Sequence, residues 1–139
     1  MSLQDFFAQN VQAEITEDCI ISERFKSDAN EPIKWKLKTV TEKENEAIRK
    51  SATRISKGKN GARIQEINQE EYVGKLAVAS VVYPDLQNAD LQASYSVLGA
   101  DTLLKTMLLS GEYATLLEKV QKMNGFDQDI NNLADEVKN

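Results

Sequence analysis

Apolar and polar positions alternate most sharply along Ile33-Lys34-Trp35-Lys36-Leu37-Lys38-Thr39-Val40. Lysines at 34, 36 and 38 interleave with Ile33, Trp35 and Leu37, which predicts a strand with one buried and one wet face. Upstream, Cys19-Ile20-Ile21-Ser22-Glu23-Arg24-Phe25 is a weaker strand candidate. The run Ser27-Asp28-Ala29-Asn30-Glu31-Pro32 between them is rich in turn formers. The two runs therefore predict an antiparallel hairpin. A lone hairpin is marginal in water, so the Trp35 face needs cover from a helix or a partner chain.

From Thr41 onward the period becomes helical. Thr41-Glu42-Lys43-Glu44 fits a capping box, and Ala47, Ile48, Ala52 and Ile55 predict a helix running to about Arg54. Lys57-Gly58-Lys59-Asn60-Gly61 interrupts it. Asn68 with Glu71 offers a second cap, followed by Tyr72, Val73, Leu76, Ala77 and Ser80 at helical spacing, with Tyr83-Pro84-Asp85 as the stop. Further helices are predicted around Ala89–Tyr95, along Leu103, Leu104, Met107 and Leu108, and along Tyr113, Leu116, Leu117, Val120 and Met123. Asn124-Gly125 ends the last of these. Asp127 predicts one more cap, before Ile130, Leu133, Ala134 and Val137. At the other end, Ser2 would cap a short helix over Leu3–Gln9 with Leu3, Phe6 and Phe7 on one side.

The fold class expected is α+β: a mostly α-helical single domain, 1–139, with an N-terminal antiparallel β-hairpin. Residues 1–40 hold the first helix and the hairpin; 41–139 hold the helical part, with a basic loop near 56–63. The length of 139 residues suits one core, and 41% apolar content is enough to fill it.

Composition narrows the chemistry more than any motif does. The chain has no His and one Cys, which excludes His-based triads, zinc sites built on His or several Cys, and disulfide frameworks. No apolar run approaches the roughly 20 residues of a membrane span. The start, Met1-Ser2-Leu3-Gln4-Asp5-Phe6-Phe7, lacks the basic and apolar regions of a signal peptide, so a cytoplasmic location is expected. The formal charge is -5, unevenly spread. Residues 47–65 contain no acid and carry Arg49, Lys50, Arg54, Lys57, Lys59 and Arg63, while 85–139 carry nine acids and four bases.

Several constellations have plainer accounts than chemistry. Asp127-x-Asp129-x-Asn131-Asn132 opens like a calcium loop, but Asn132 and Lys138 stand where Gly and the bidentate Glu belong. An acidic first turn of a helix explains it better. Gly58 and Gly61 follow a predicted helix with the wrong spacing for a P-loop. The pairs Asp28/Glu31 and Glu70/Glu71 are what chance gives in so acidic a chain. Cys19 has no His to activate it and reads as a small apolar group. No catalytic set, cofactor site or metal site is expected.

What remains is surface for other molecules. The basic stretch without acids is either a solvated loop or a dock for an acidic partner. Nucleic acid is disfavoured, since the stretch has no aromatic to stack on bases and the total charge is acidic. A small nucleic-acid-binding regulator would rest on that loop alone. The candidate partner-binding residues are Phe6, Phe7, Trp35, Arg49, Lys50, Arg54, Lys57, Lys59 and Arg63. Pairing of the basic stretch with the acidic 85–139 part of another copy would give a salt-sensitive homo-oligomer.

Two runs carry a family resemblance. Tyr83-Pro84-Asp85-Leu86 through Asp90-Leu91-Gln92-Ala93-Ser94-Tyr95 to Gly99-Ala100 is similar to the XkdN-like tail assembly chaperones of phages and prophages. So is Leu108-Leu109-Ser110-Gly111-Glu112-Tyr113-Ala114-Thr115-Leu116, continued by Val120-Gln121-Lys122-Met123-Asn124-Gly125-Phe126-Asp127. Trp35-Lys36-Leu37 and Thr41–Glu44 sit where that group places its hairpin and first main helix. The resemblance implies a non-enzymatic role: binding the tape-measure protein, a long helical chain prone to aggregate, and helping to recruit tail-tube protein. It supplies no catalytic residues. A permanently incorporated structural protein of the tail or head–tail joint is the other reading.

Overall fold

The structure, a computed structural model, describes residues 1–126. The helix predicted beyond Asp127 and the calcium-like run from Asp127 both lie outside the described residues. The fold is α+β, with the elements β1 (Thr16–Cys19), β2 (Trp35–Lys38), α1 (Glu42–Ser51), β3 (Thr53–Lys57), β4 (Arg63–Ile67), α2 (Gln69–Ser80), β5 (Val81–Tyr83), α3 (Ala89–Ser94), α4 (Ala100–Met107) and α5 (Ser110–Met123). β1, β2 and β5 form an antiparallel sheet in that order, and β3 and β4 form a separate two-stranded one.

The N-terminal hairpin is present, with its first strand displaced. β1 pairs Thr16 with Lys38 and Cys19 with Trp35, so the ladder lies upstream of the expected Cys19–Phe25 run. The predicted turn does form, but it closes a smaller nested bridge. Ser27 N–H donates to the Glu31 carbonyl at 2.9 Å, and Ile33 N–H to that of Phe25 at 2.9 Å. Ser22 and Arg24 are drawn off the ladder because their side chains bind Glu112 at the start of α5. The segment Leu3–Gln9 is likewise not one α-helix. It forms two short 3-10 turns, Leu3–Phe6 and Ala8–Asn10, the first capped reciprocally by Ser2 and Asp5. No apolar face of it is buried, so nothing prolongs the helix.

The Trp35 face is covered by the chain itself. Trp35 and Leu37 point inward, and α5 packs on β2 while α2 runs beside β5 and against α4 and α5. Leu76, Leu103, Leu104, Leu116 and Val120 complete the core, each 1% exposed or less. The predicted stripes of α2, α4 and α5 are thus the ones that meet.

Caps fix the boundaries. Thr41 and Glu44 bind each other's backbone N–H groups at 3.2 Å, as the box predicts. Asn68 accepts from Glu71 N–H at 3.1 Å to start α2. At the end of α5, Gly125 takes a left-handed φ of 81°, so that Phe126 N–H reaches the Gln121 carbonyl at 2.8 Å. Asn124 Oδ1 then accepts from Val40 N–H at 2.9 Å, tying this helix end to the exit of β2.

Two boundaries differ from expectation for one reason. α1 stops at Ser51 rather than Arg54, and Ile55 belongs to β3 instead of the helical stripe. The residues expected to form a basic loop near 56–63 are the tip of the β3–β4 hairpin, where Asn60 and Gly61 supply left-handed turns at φ 66° and 75°. β-branched Thr53, Ile55, Ile64 and Ile67 favour strand here once the left-handed pair closes the turn. α2 likewise ends at Ser80, and Val81–Tyr83 joins the sheet before Pro84.

Ser80 is fully buried, and its hydroxyl has no hydrogen-bond partner among the described residues. Removing an orphaned polar group relieves a desolvation penalty without opening a large void. Ser80→Ala should raise stability by about 1 kcal/mol, read as a shift in the midpoint of chemical denaturation. A loss of stability would show instead that the hydroxyl finds a partner.

Candidate partner-binding surface

The β3–β4 hairpin projects as an arm between α1 and α2. Every residue from Arg54 to Glu70 is exposed except the half-buried Gly58. The root is well tied. Ala52 is fully buried, its carbonyl accepts from Asn68 N–H at 2.9 Å, and Thr53 Oγ1 donates to the Arg49 carbonyl at 2.8 Å. Arg54 bridges to Glu71, which Lys75 also holds at 2.8 Å. Lys75 and then Arg54 keep the Glu71 carboxyl below its ordinary range. Beyond the root, Ile55, Ile64 and Ile67 are exposed, each at 39% or more. Hairpins of two strands are rarely stable without a third layer, so this arm presents unsatisfied surface.

The structure divides the six cations predicted as a dock. Arg49 pairs with Glu42, Lys50 with Glu46 and Arg54 with Glu71, so these neutralise the chain's own carboxylates. Lys57, Lys59 and Arg63 gather at the tip and join no ion pair among the described residues. Phe6 and Phe7 are exposed on the N-terminal turns, in a segment separate from the arm. Trp35 does not belong to an open surface. It is 2% exposed, its ring tilted 6.3 Å from that of Phe25.

A second surface is built from residues whose spacing marks them as core. Val73 on α2 and Tyr113 and Leu117 on α5 line an open cleft of about 570 Å³, rimmed by Glu70, Lys105 and Gln121. These side chains fall on the predicted apolar stripes, but the stripes are wider than the core they fill. Gly74 lets the two helices approach, since a Cβ there would sit 3.2 Å from Tyr113 Oη. Burial raises the Tyr113 hydroxyl above its usual range, which keeps it neutral beside the cleft.

The single cysteine is not set up as a nucleophile. Cys19 is buried, and that burial pushes its thiol up, away from the thiolate a nucleophile needs. Among the described residues no three His, Cys, Asp or Glu side chains cluster as a metal site, and no helix is long and apolar enough to cross a membrane.

Residues 3–138 match the model of the phage XkdN-like tail assembly chaperone family. The chain belongs to that family. It is 30% identical over 120 residues to the phage-like element PBSX protein XkdN of Bacillus subtilis (strain 168), covering 86% of this chain and 81% of the relative. It is 29% identical over 132 residues to the uncharacterized protein YqbN of the same strain, covering 94% and 88%. A crystal structure of YqbN superposes with a TM-score of 0.76 at 22% identity, spanning 91% of this chain and 98% of that one, which supports the fold.

The start of α5 is held by one polar knot. Arg24 grips both oxygens of Glu112, at 2.6 and 3.1 Å, and also the Met107 carbonyl at 2.8 Å. Ser22 Oγ donates to the same carboxylate, as does Leu109 N–H at 2.8 Å. Arg24, then Ser22, then the Leu109 amide hold the Glu112 carboxyl down at about 2, against an ordinary 4.5.

A depressed pKa means the charged form is favoured in the folded state. The contribution is therefore complete above about pH 4.5 and is lost as pH falls toward 2. Glu112→Gln should destabilise the fold at neutral pH, with the gap to the native chain narrowing across that window. Urea titrations from pH 7 to 2 measure it; a gap independent of pH would refute the assignment.

Proposed function

We propose that this chain works without catalysis, as a chaperone of the host cytoplasm that binds the tape-measure protein of a phage or prophage tail and assists tail-tube assembly. Membership of the tail assembly chaperone family supports the setting, and the open cleft between α2 and α5 carries the mode of binding. A long helical client presents apolar side chains at i, i+3, i+4 and i+7. Val73, Tyr113 and Leu117 offer a shallow apolar floor to such a stripe, and Glu70, Lys105 and Gln121 a polar rim. Modest apolar area with a wet rim suits release, which a permanent interface would prevent.

The exposed Phe6 and Phe7 and the basic tip of the arm are further exposed surfaces, outside the lining of the cleft, available for the tail-tube protein. The described residues share one hydrophobic cluster, which supports reading 1–139 as a single domain.

Co-expression with the cognate tape-measure protein should render that protein soluble and yield a complex that can be purified. Val73→Lys combined with Leu117→Glu should abolish both effects while leaving the circular dichroism spectrum unchanged. An insoluble tape-measure protein with no recoverable complex, given the native chain, would remove the chaperone reading. Mass spectrometry of purified virions separates the other: a chaperone is absent from finished particles, whereas a structural component of the tail or head–tail joint is retained.

A further inference from the structure

We infer that the arm of one copy adds to the open edge of β1 in another, joining chains head to tail through a basic strand laid on an acidic one. This goes beyond the binding of a client and holds whatever the client is. Among the described residues β1 is an outer strand, bonded only to β2. The first 23 residues contain five acids and no base, and three of those acids, Glu14, Glu17 and Asp18, lie in or beside β1. Exposed Ile15 and Ile20 flank the strand. Glu14 reaches Lys38 at 3.8 Å, while Glu17 and Asp18 join no ion pair among the described residues. Lys36 stands across from Asp18 on β2, on the side away from the open edge, and Lys119 and Lys122 border Glu17 from α5.

The arm is the counterpart in each respect. It carries the unpaired cations Lys57, Lys59 and Arg63, exposed isoleucines, and a free strand edge of similar length. Backbone phase agrees as well. The bonds from Asn68 N–H to the Ala52 carbonyl and from Gly58 N–H to that of Ala62 turn Thr53, Ile55 and Lys57 outward from β4. The bond from Thr39 N–H to the Ile15 carbonyl turns Thr16 and Asp18 outward from β2. Two free ladders of four to five residues thus face solvent with opposite charge. Pairing arm with arm would oppose like charges, and so would pairing β1 with β1. β5, the sheet's other edge, is three residues long and uncharged.

Because arm and edge are different surfaces, each joint leaves an arm and an edge free, and the product is a ring or an open string. The joint is small beside the ~1,600 Å² of a standard interface, so each contact is weak and reversible.

The full chain should show, in sedimentation velocity, a weight-average mass that rises with concentration at ~0.05 M salt and returns toward the monomer at ~0.5 M. Lys57→Glu with Lys59→Glu and Arg63→Glu should stay monomeric at low salt, and so should Glu17→Lys with Asp18→Lys. These residues are exposed, and unchanged thermal melts confirm that both variants fold. Mixing the two variants should restore association, because each then offers the charge the other lacks. A native chain that is monomeric at low salt across a wide concentration range overturns the inference. So do variants that associate like the native chain, or a mixture that stays monomeric. Loss of client solubilisation by the arm variant without rescue on mixing would assign the arm to the client instead.

Discussion

A sheet with one greasy side dictates the rest of this molecule. Trp35 and Leu37 share a face with Cys19, and a three-stranded sheet that small cannot bury it alone. α2, α4 and α5 exist as a packed group because their leucine and valine stripes meet on that face. The connections follow from it: Asn124 binds Val40 so that α5 ends where β2 leaves the sheet, and Glu112 collects Ser22 and Arg24 so that the loop after β1 stays at the start of α5. The lysines of β2 are then committed to solvent by the pleat.

What the core does not use is segregated. The N-terminal turns, the β3–β4 arm and the cleft between α2 and α5 all expose apolar side chains, and none contributes one of the fully buried residues. A closed hydrophobic core therefore coexists with exposed apolar surfaces that it does not use. Both features occur in one chain of the tail assembly chaperone family.

Much of the fold was legible in sequence because its signals are local. Thr41 and Glu44, Asn68 and Glu71, and Asn124-Gly125 set helix ends through bonds between residues within five positions of one another, and the period-two lysines marked β2. Tertiary demands overrode the rest. β1 lies upstream of its best-looking run because Ser22 and Arg24 answer to Glu112, some ninety positions on. Ile55 fits a helical stripe as well as a strand, and only its pairing with Gln65 decides. The surface was half legible. Absence of acids in 47–65 pointed to the basic patch, but composition does not distinguish Arg49, Lys50 and Arg54, bound to the chain's own acids, from the free cations of the tip. Trp35 sits in the strand that pattern marked, yet its burial depends on helices supplied much later. The cleft was hidden because Val73 and Leu117 look like core.

The two ends of the arm are neighbours, joined by the hydrogen bond between Ala52 and Asn68. α1 and α2 would meet at that point whether the excursion between them were long, short or absent. The projecting part is in effect a cassette: its reach and charge can be altered while the packed centre keeps its shape. The arm can thus change without any change to the core.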